Sequence, residues 1–289
     1  MAVRVNLKEK NMKKFKVGLQ LYGVREAMNS DFEGTLRAVS EMGYEYVEFA
    51  GYFGRSSEEI KSLLEKYGLK CVSVHQRIDF FDENPDEKAE FLKNFGVKYS
   101  IIPWYGKEKL AGTPDWDDTV KNFKKASKLL KEHGMMLGYH NHDFEFNTFD
   151  GKYLHDYIFE AAGEDNIFPE LDTCWVHYAG IRPEEKILEF SGRVPILHLK
   201  DFVCKALGSG PVYDLIGSDG KNIGSSKEEN GFEFRPLGQG IQNFKAILEA
   251  AEKAGTEIVI VEQDKCYGEM SELEAARLSR EYLKEAFGL

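Results

Sequence analysis

Short apolar, β-branched segments alternate with longer helical patterns along most of the chain. The short segments predict buried β-strands, because continuous runs of Val, Ile, Leu and aromatic residues are typical of strands covered on both faces. The predicted strands cover residues 17–22, 44–50, 69–75, 97–103, 135–142, 167–172, 194–200 and 257–262. Helices are predicted at 32–42, 57–67, 86–95, 116–133, 153–162, 183–190, 244–254 and 272–287.

Strands that alternate with helices favour a parallel sheet, because parallel neighbours must be joined by a crossover. Glycines that follow predicted helices support these boundaries, since glycine commonly ends a helix; they are Gly43, Gly68, Gly134 and Gly255. Eight strand–helix units match a closed (β/α)8 TIM barrel better than an open doubly wound sheet. No GxGxxG motif follows the first strand, which weakens a dinucleotide-binding fold further.

One stretch interrupts this repeat. Residues at about 202–234, between the seventh strand and its helix, are rich in Gly and Ser. A loop of this length in a compact fold is usually a lid or a substrate-binding excursion, and a surface insertion is the alternative. We therefore expect a loose N-terminal extension at 1–15 and a single barrel domain at 16–289 that carries this insertion.

Composition narrows the function classes. The 289 residues contain 38 Lys and Arg against 49 Asp and Glu, a net charge of -11 at pH 7. Such a chain has no general electrostatic attraction to a phosphate backbone, so we expect no nucleic-acid partner. No apolar run reaches the roughly 18 residues that span a bilayer, so we expect no membrane partner either. Four scattered cysteines without a CxxC pair indicate reduced thiols and a cytoplasmic location.

Polar residues gather at the carboxyl ends of the predicted strands, which meet around one mouth in a TIM barrel and form its active site. Four of the seven histidines are among them. Because side chains alternate along a strand, His140 and His142 share one side and Asn141 points to the other. The polar residues at these ends are Gln20, Tyr22, Glu48, His75, His140, Asn141, His142, Asp172, His198, Lys200, Glu262 and Asp264.

Four potential metal ligands come from strands five to eight in order: His140, Asp172, His198 and Glu262. Imidazole and carboxylate groups bind Mn²⁺, Zn²⁺, Co²⁺ or Fe²⁺, with water or substrate completing the shell. A single histidine at a strand end is more often an ordinary hydrogen-bonded group, and Asp172 is also placed to cap a following turn. Four ligand types on consecutive strands nevertheless predict one divalent metal ion.

Several motifs in this order resemble the sugar phosphate isomerase/epimerase superfamily, the xylose isomerase-like barrels that also include endonuclease IV. The resemblance runs from about Val17 to the C-terminus. It rests on VGLQLY at 17–22, YHNHDFEF at 139–146, LDTCW at 171–175, HLKD at 198–201, PLGQG at 236–240 and VEQD at 261–264.

The resemblance implies one divalent cation held by a Glu, an Asp, a His and a second Glu. Asp172, His198 and Glu262 match the last three ligands, whereas His140 replaces the first Glu. In epimerases of this superfamily the two glutamates also transfer protons on opposite substrate faces. A metal-bound imidazole cannot accept a proton through its coordinating nitrogen, so His142 becomes the expected acid/base partner of Glu262. An alternative places His142 on the metal and His140 beside it.

Two further sequence features indicate which branch of this superfamily the chain resembles. Trp175 occupies the position at which some relatives carry a His, and with the acidic charge this argues against an endonuclease. The Tyr-His-Asn-His sequence resembles the branch related to inosose dehydratases and to enzymes that act on keto sugars. Relatives are often dimers or tetramers, so a homo-oligomer is possible.

The expected chemistry starts with a metal that polarises a substrate carbonyl and stabilises an enediolate. His142 and Glu262 are the predicted bases, and Lys200 either stabilises the enediolate, anchors a phosphate, or pairs with Glu262 or Asp264. The leading prediction is an isomerase or epimerase of a small sugar or sugar phosphate. A lyase of the inosose dehydratase type shares the same intermediate and is the alternative. A non-catalytic sugar-binding barrel is the hypothesis from another class.

A second set of residues is predicted to contact the carbohydrate substrate: Gln20, Tyr22, Glu48, His75, Trp104 and Arg235. Glu48 and His75 would bind sugar hydroxyls, or would form a polar layer within the barrel. Trp104 would stack on a sugar face, and Arg235 would bring the end of the insertion back to the mouth.

Overall fold

A computed structural model describes residues 15–208 and 230–289. Eight parallel strands close into a barrel in which each strand lies beside its neighbours in sequence, and the first pairs with the last. The barrel strands are β1 (Lys16–Gln20), β2 (Tyr46–Phe49), β3 (Lys70–His75), β4 (Tyr99–Ile102), β5 (Met136–His140), β6 (Phe168–Asp172), β7 (Ile196–Leu199) and β8 (Ile258–Val261). The predicted TIM barrel is confirmed.

Ten helices in the described ranges surround the barrel or cover its ends. They are α1 (Arg25–Ser30), α2 (Phe32–Glu41), α3 (Ser57–Tyr67), α4 (Pro85–Asn94), α5 (Trp116–Glu132), α6 (Leu154–Ala162), α7 (Thr173–Tyr178), α8 (Pro183–Glu189), α9 (Phe244–Ala254) and α10 (Glu272–Phe287). Eight correspond to predicted helices, whereas α1 and α7 were not predicted. Six residues are too few for a helical period to stand out from a loop.

The strands end earlier than predicted at the mouth. Tyr22, His142, Lys200 and Glu262 all lie one or two residues beyond the strand that precedes them. After β5 the chain enters a single 3₁₀ turn at Phe144–Phe146. These side chains therefore come from the loops above the barrel, where active-site residues of this fold are found.

The interior of the barrel is apolar in its lower half. Gly138 is needed on this level, because a Cβ there would lie 2.5 Å from the Ile101 side chain and 2.8 Å from Phe168. A bulge opposite Val47 and Glu48 turns both Val72 and Ser73 of β3 towards the interior. The buried apolar cluster consists of Val72, Ile101, Phe168, Ile196, Ile258 and Ile260.

The predicted insertion begins and ends in paired strands. Asp201–Val203 pairs antiparallel with Glu233–Arg235, so the chain leaves and returns at the same place above β7. Residues 209–229, and residues 1–14 of the predicted N-terminal extension, lie outside the described ranges.

The carboxylate of Asp201 joins this hairpin to the chain that follows it. It accepts backbone N–H groups of Phe202, Gly238, Gly240 and Gln242 at 2.9–3.1 Å. We call these five residues the Asp201 clasp. Within the described ranges, no helix is long and apolar enough to cross a membrane.

Candidate active site

The upper half of the barrel interior holds two layers of polar side chains. The lower polar layer consists of Gln20, Glu48, Ser73, His75 and Glu170, and the upper polar layer consists of Asp172, Lys200, Glu262 and Asp264. His140 and His198 lie between them and contact both. Because alternate residues of a strand share a face, β6 supplies Glu170 to one layer and Asp172 to the other.

Each of the two intermediate imidazoles turns one nitrogen to each layer. His140 Nδ1 lies 3.2 Å from Glu170 Oε2, while its Nε2 lies 3.6 Å from Asp172 Oδ2 and 4.0 Å from Glu262 Oε2. His198 Nε2 lies 2.8 Å from Glu48 Oε1, and its Nδ1 lies 2.9 Å from Glu262 Oε2. The two rings are 4.7 Å apart.

The structure brings the four predicted metal ligands together. One donor atom each from His140, Asp172, His198 and Glu262 lies within 4.8 Å of the others. All four residues are buried, and their mixed nitrogen and oxygen donors suit the predicted divalent ions. This group contains His140 rather than His142, which favours the first of the two arrangements considered from the sequence.

The charges of the two layers also fit a divalent cation. Five buried carboxyl groups belong to Glu48, Glu170, Asp172, Glu262 and Asp264, and Lys200 is the ammonium group buried among them. Buried charges are costly unless they are paired, so this excess of carboxylates favours a bound cation. The residues present therefore fit the metal that the sequence predicts.

Lys200 connects three carboxylates of the upper layer. Its Nζ lies 2.8 Å from Asp172 Oδ2, 2.8 Å from Glu262 Oε2 and 2.9 Å from Asp264 Oδ1. Burial raises the pKa of Asp172 to about 6 against the opposing charge of Lys200. Burial acts in the same direction on Glu262, but Lys200 and His198 outweigh it and hold the pKa of Glu262 well below its usual range. Both carboxyl groups are therefore mainly ionised at pH 7, and Glu262 stays ionised at a lower pH than Asp172.

The histidines differ in protonation. Burial, together with the neighbouring cationic groups, lowers the pKa of His140 well below its usual value and that of His142 to about 3. Burial also disfavours the charged form of His75, but the carboxylates of Glu48 and Glu170 overcome it and raise its pKa to about 10. His140 and His142 are therefore neutral rings near neutral pH, and each carries a proton on only one of its two ring nitrogens.

His142 is held by a buried glutamate that the sequence did not single out. The backbone N–H of His142 donates to Glu145 Oε2 at 2.8 Å, and the Tyr139 hydroxyl donates to Glu145 Oε1 at 2.8 Å. Burial raises the pKa of Glu145 to about 8. The His142 ring stacks on buried Trp175 at 5.7 Å and lies 5.3 Å from the His140 ring.

Three of the predicted substrate contacts lie in the lower polar layer. Gln20 Nε2 donates to Glu48 Oε1 at 2.6 Å, and the Ser73 hydroxyl donates to Glu48 Oε2. His75 Nε2 lies 2.8 Å from Glu170 Oε2. This placement favours the polar-layer alternative for Glu48 and His75.

The remaining predicted contacts belong to the loops. Tyr22 and Trp104 are 42% and 39% exposed, so their rings are accessible to a ligand. Arg235 stacks on Tyr267, with 3.5 Å between the guanidinium carbon and the ring centre. That contact ties the end of the hairpin to the loop that follows β8.

Comparison with known proteins agrees with this geometry. Residues 36–286 match the model of the xylose isomerase-like TIM barrel family. The chain belongs to that family. Among curated proteins, this xylose isomerase-like barrel is similar to the inosose dehydratase of Geobacillus kaustophilus (strain HTA426). The two are 24% identical over 224 residues, which cover 67% of this chain and 71% of the relative.

Solved structures share the fold of this xylose isomerase-like barrel. A sugar phosphate isomerase/epimerase from Parabacteroides distasonis ATCC 8503 superimposes with a TM-score of 0.75 at 22% identity, covering 95% of each chain. The IOLI protein with a bound zinc atom gives a TM-score of 0.70 at 19% identity, covering 94% of this chain and 98% of that one. The family and the curated relative confirm the prediction of an enzyme.

Proposed function

We propose that this xylose isomerase-like barrel is a divalent-metal-dependent lyase that removes water from a small keto sugar or keto-cyclitol. The observation that carries this proposal is His140, an imidazole among the metal donors at the position of a glutamate in related epimerases. With a histidine in place of that glutamate, the site lacks one of the two carboxylates that an epimerase uses on opposite substrate faces. The similarity to an inosose dehydratase supports the same choice.

His140, Asp172, His198 and Glu262 would hold the metal. When bound, the metal supplies a Lewis acid that polarises the substrate carbonyl and so acidifies the neighbouring C–H bond. Because Asp172 Oδ1 already accepts the Cys174 N–H at 2.8 Å, its Oδ2 is held facing the site.

Elimination of water needs a group that accepts a proton and a group that donates one. His142 is a neutral ring beside His140, so it can take the proton from the carbon next to the carbonyl. Lys200 presents an ammonium group in the same layer as Asp172 and Glu262, so it can protonate the departing β-hydroxyl. The C–H and C–O bonds then break, and water and an unsaturated ketone are formed.

The contacts of the cations near the mouth favour a substrate without a phosphate. Lys200 contacts three carboxylates, Arg25 donates to the carbonyls of Tyr22 and Asp264, and Arg235 pairs with Glu233. A phosphate placed beside any of them would also meet these oxygen atoms.

An isomerase or epimerase of a small sugar is the second candidate. It is favoured by His142 and Glu262, two proton acceptors that follow β5 and β8, strands separated in the barrel by β6 and β7. The name of the Parabacteroides distasonis structure supports the same class.

The test is to incubate the Mn²⁺-loaded protein with a panel of ketoses and keto-cyclitols in D₂O and to follow carbon-bound protons by NMR. We expect deuterium beside the carbonyl together with loss of a hydroxyl. Deuterium uptake with every hydroxyl retained would replace the lyase by the isomerase or epimerase. No exchange on any substrate would contradict both, and the Asp172→Asn variant is the control for background enolisation.

A further inference from the structure

Two fully buried glutamates lie beneath the proposed metal position, on the far side of its histidine ligands. Glu170 Oε2 is 2.8 Å from His75 Nε2, 3.2 Å from His140 Nδ1 and 3.3 Å from His198 Nε2. Glu48 Oε1 is 2.8 Å from His198 Nε2 and 3.1 Å from His75 Nε2. The sequence did not single out Glu170, and the proposed reaction does not use it.

The direction of these hydrogen bonds determines which nitrogens remain available. An ionised carboxylate only accepts, so the nitrogen facing it must carry the hydrogen. His140 then donates from Nδ1 to Glu170, and His198 donates from Nε2 to Glu48. His140 is a neutral ring, so its other nitrogen keeps its lone pair. The other nitrogen of His198 lies 2.9 Å from the ionised Glu262, so without a metal it donates to that carboxylate, and it would release this proton on binding a metal. Those nitrogens, His140 Nε2 and His198 Nδ1, face Asp172 and Glu262.

We propose that Glu170 and Glu48 are positioning residues that fix His140 and His198 in their metal-binding tautomers. This inference rests on the metal site of the proposed function. Metal-bound histidines usually donate their second N–H to a carboxylate or carbonyl, which orients the ring and makes the ligand more basic. In this chain Glu170 accepts a hydrogen bond from His140, and Glu48 accepts one from His198.

The remaining residues of the lower polar layer keep these carboxylates in place. Gln20 and Ser73 both donate to Glu48. The Nε2 atom of His75 lies within 3.1 Å of both Glu48 and Glu170 and so bridges them. Substrate contact was predicted for Gln20, Glu48 and His75, with a polar layer as the alternative for Glu48 and His75. Their contacts with the two carboxylates fit a supporting role one layer below the metal ligands.

A second donor group has to be weighed against this assignment. His75, His140, Glu170 and His198 also have ligand atoms within 4.8 Å of one another. The ligands of both groups are buried or nearly so, and burial does not separate them. A catalytic metal keeps a position open for substrate, and substrate reaches the barrel from its mouth. The upper group lies next to Lys200 and the mouth, so the lower carboxylates orient the ligands instead of binding the ion.

The first test measures Co²⁺ and Zn²⁺ affinity by competition with a chromogenic chelator. Glu170→Gln keeps the shape and removes the charge, and we expect binding to weaken 10- to 100-fold. Glu145→Gln is the control for replacing a fully buried glutamate in this region, because Glu145 is equally buried but bonds Tyr139 and the His142 backbone instead of a metal ligand. We expect it to change affinity less than threefold.

The outcomes separate this inference from the metal site itself. Suppose that Glu170→Gln binds metal as tightly as wild type while Asp172→Asn binds at least 100-fold more weakly. This result would overturn the positioning role but would agree with the proposed metal site. A wild-type protein that binds no metal, or an Asp172→Asn variant that binds normally, would overturn the metal site of the proposed function.

A second measurement uses the unmodified chain, so it does not depend on the folding of a variant. Proton NMR of the Co²⁺-loaded wild-type protein reports ring N–H hydrogens of metal-bound histidines as strongly shifted signals that vanish in D₂O. We expect two such signals, from His140 and His198. Three signals would place His75 on the ion, contradict the positioning role and assign the metal to the lower group.

Discussion

The lower and upper halves of the barrel interior are formed by the same strands, but the lower half consists of apolar side chains and the upper half of polar and charged ones. β7 places Ile196 in the apolar cluster and His198 among the metal donors, and β6 places Phe168 below Glu170. Both halves are buried. Apolar burial stabilises the lower half by roughly 25 cal/mol per Å², whereas every polar group of the upper half needs a partner. Positions two residues apart on the same strand therefore differ in role: the lower one contributes to stability and the upper one to the candidate active site.

The histidines show the same contrast. The pKa of His75, between two carboxylates, is raised to about 10 although burial opposes it. The pKa of His155 is lowered to about 4, because it is buried and its ring lies against Phe146, Phe159 and Phe190. His155 stays neutral although Asp156 Oδ1 lies 3.2 Å from its Nδ1, so the balance between burial and all neighbouring charges decides whether a buried imidazole is protonated.

The largest effect is expected from removing a charge in the upper half. Asp172→Asn should lower kcat/KM by about 1000-fold or more, which is roughly 4 kcal/mol of transition-state stabilisation. The fold should persist, because the Asn oxygen can still cap α7 by accepting from Cys174 N–H. Steady-state kinetics and the thermal midpoint test this. Activity within tenfold of wild type would show that the reaction does not depend on Asp172 and would contradict the proposed metal site.

A change in the lower half should act on stability alone. Ile260→Ala removes a fully buried side chain from the apolar cluster and should cost about 2–5 kcal/mol in the free energy of unfolding. The turnover of the folded molecules should stay within about threefold, since Ile260 is not a metal donor. Urea unfolding checks the stability, with Ile196→Val as the milder control at about 0.5–1.5 kcal/mol. A large loss of kcat in fully folded Ile260→Ala protein would contradict the separate roles of the two halves.

The smallest effect concerns pH. Because the pKa of His155 is lowered in the folded protein, its unfolded form binds the proton more readily between pH 6.5 and about 4. The contribution of neutral His155 to the free energy of unfolding is therefore fully present above pH 6.5. It falls on acidification by up to about 1.4 kcal/mol per pH unit. From pH 7 to pH 4.5, His155→Phe should lose about 2 kcal/mol less than wild type in urea unfolding. Equal losses would contradict the assignment.

The strands and their order could be predicted from the sequence, because a strand buried on both faces leaves a continuous apolar run. The grouping of the four candidate metal donors could also be predicted, since the last residues of neighbouring strands meet at one edge of the barrel. α1 and α7 could not be predicted in this way. α7 depends on the side chain of Asp172, which accepts the Cys174 N–H and also reaches the site with its second oxygen.

Glu170 was missed although a signal existed. Asp172 stands out as the final residue of its strand, and strand alternation places the residue two positions earlier on the same inner face. Glu145 offered no comparable signal. It lies in a 3₁₀ turn, and its role depends on the Tyr139 hydroxyl and the His142 backbone, which only the folded chain brings to it.

The Asp201 clasp has a consequence for how this enzyme can be altered. Asp201 directly follows Lys200, and its carboxylate ties the hairpin to the backbone of Gly238, Gly240 and Gln242. The two ends of the insertion, Asp201–Val203 and Glu233–Arg235, are thereby anchored to the barrel by contacts of their own, one residue from Lys200. We expect that the sequence joining these two ends can be exchanged while Lys200 keeps its place in the upper polar layer.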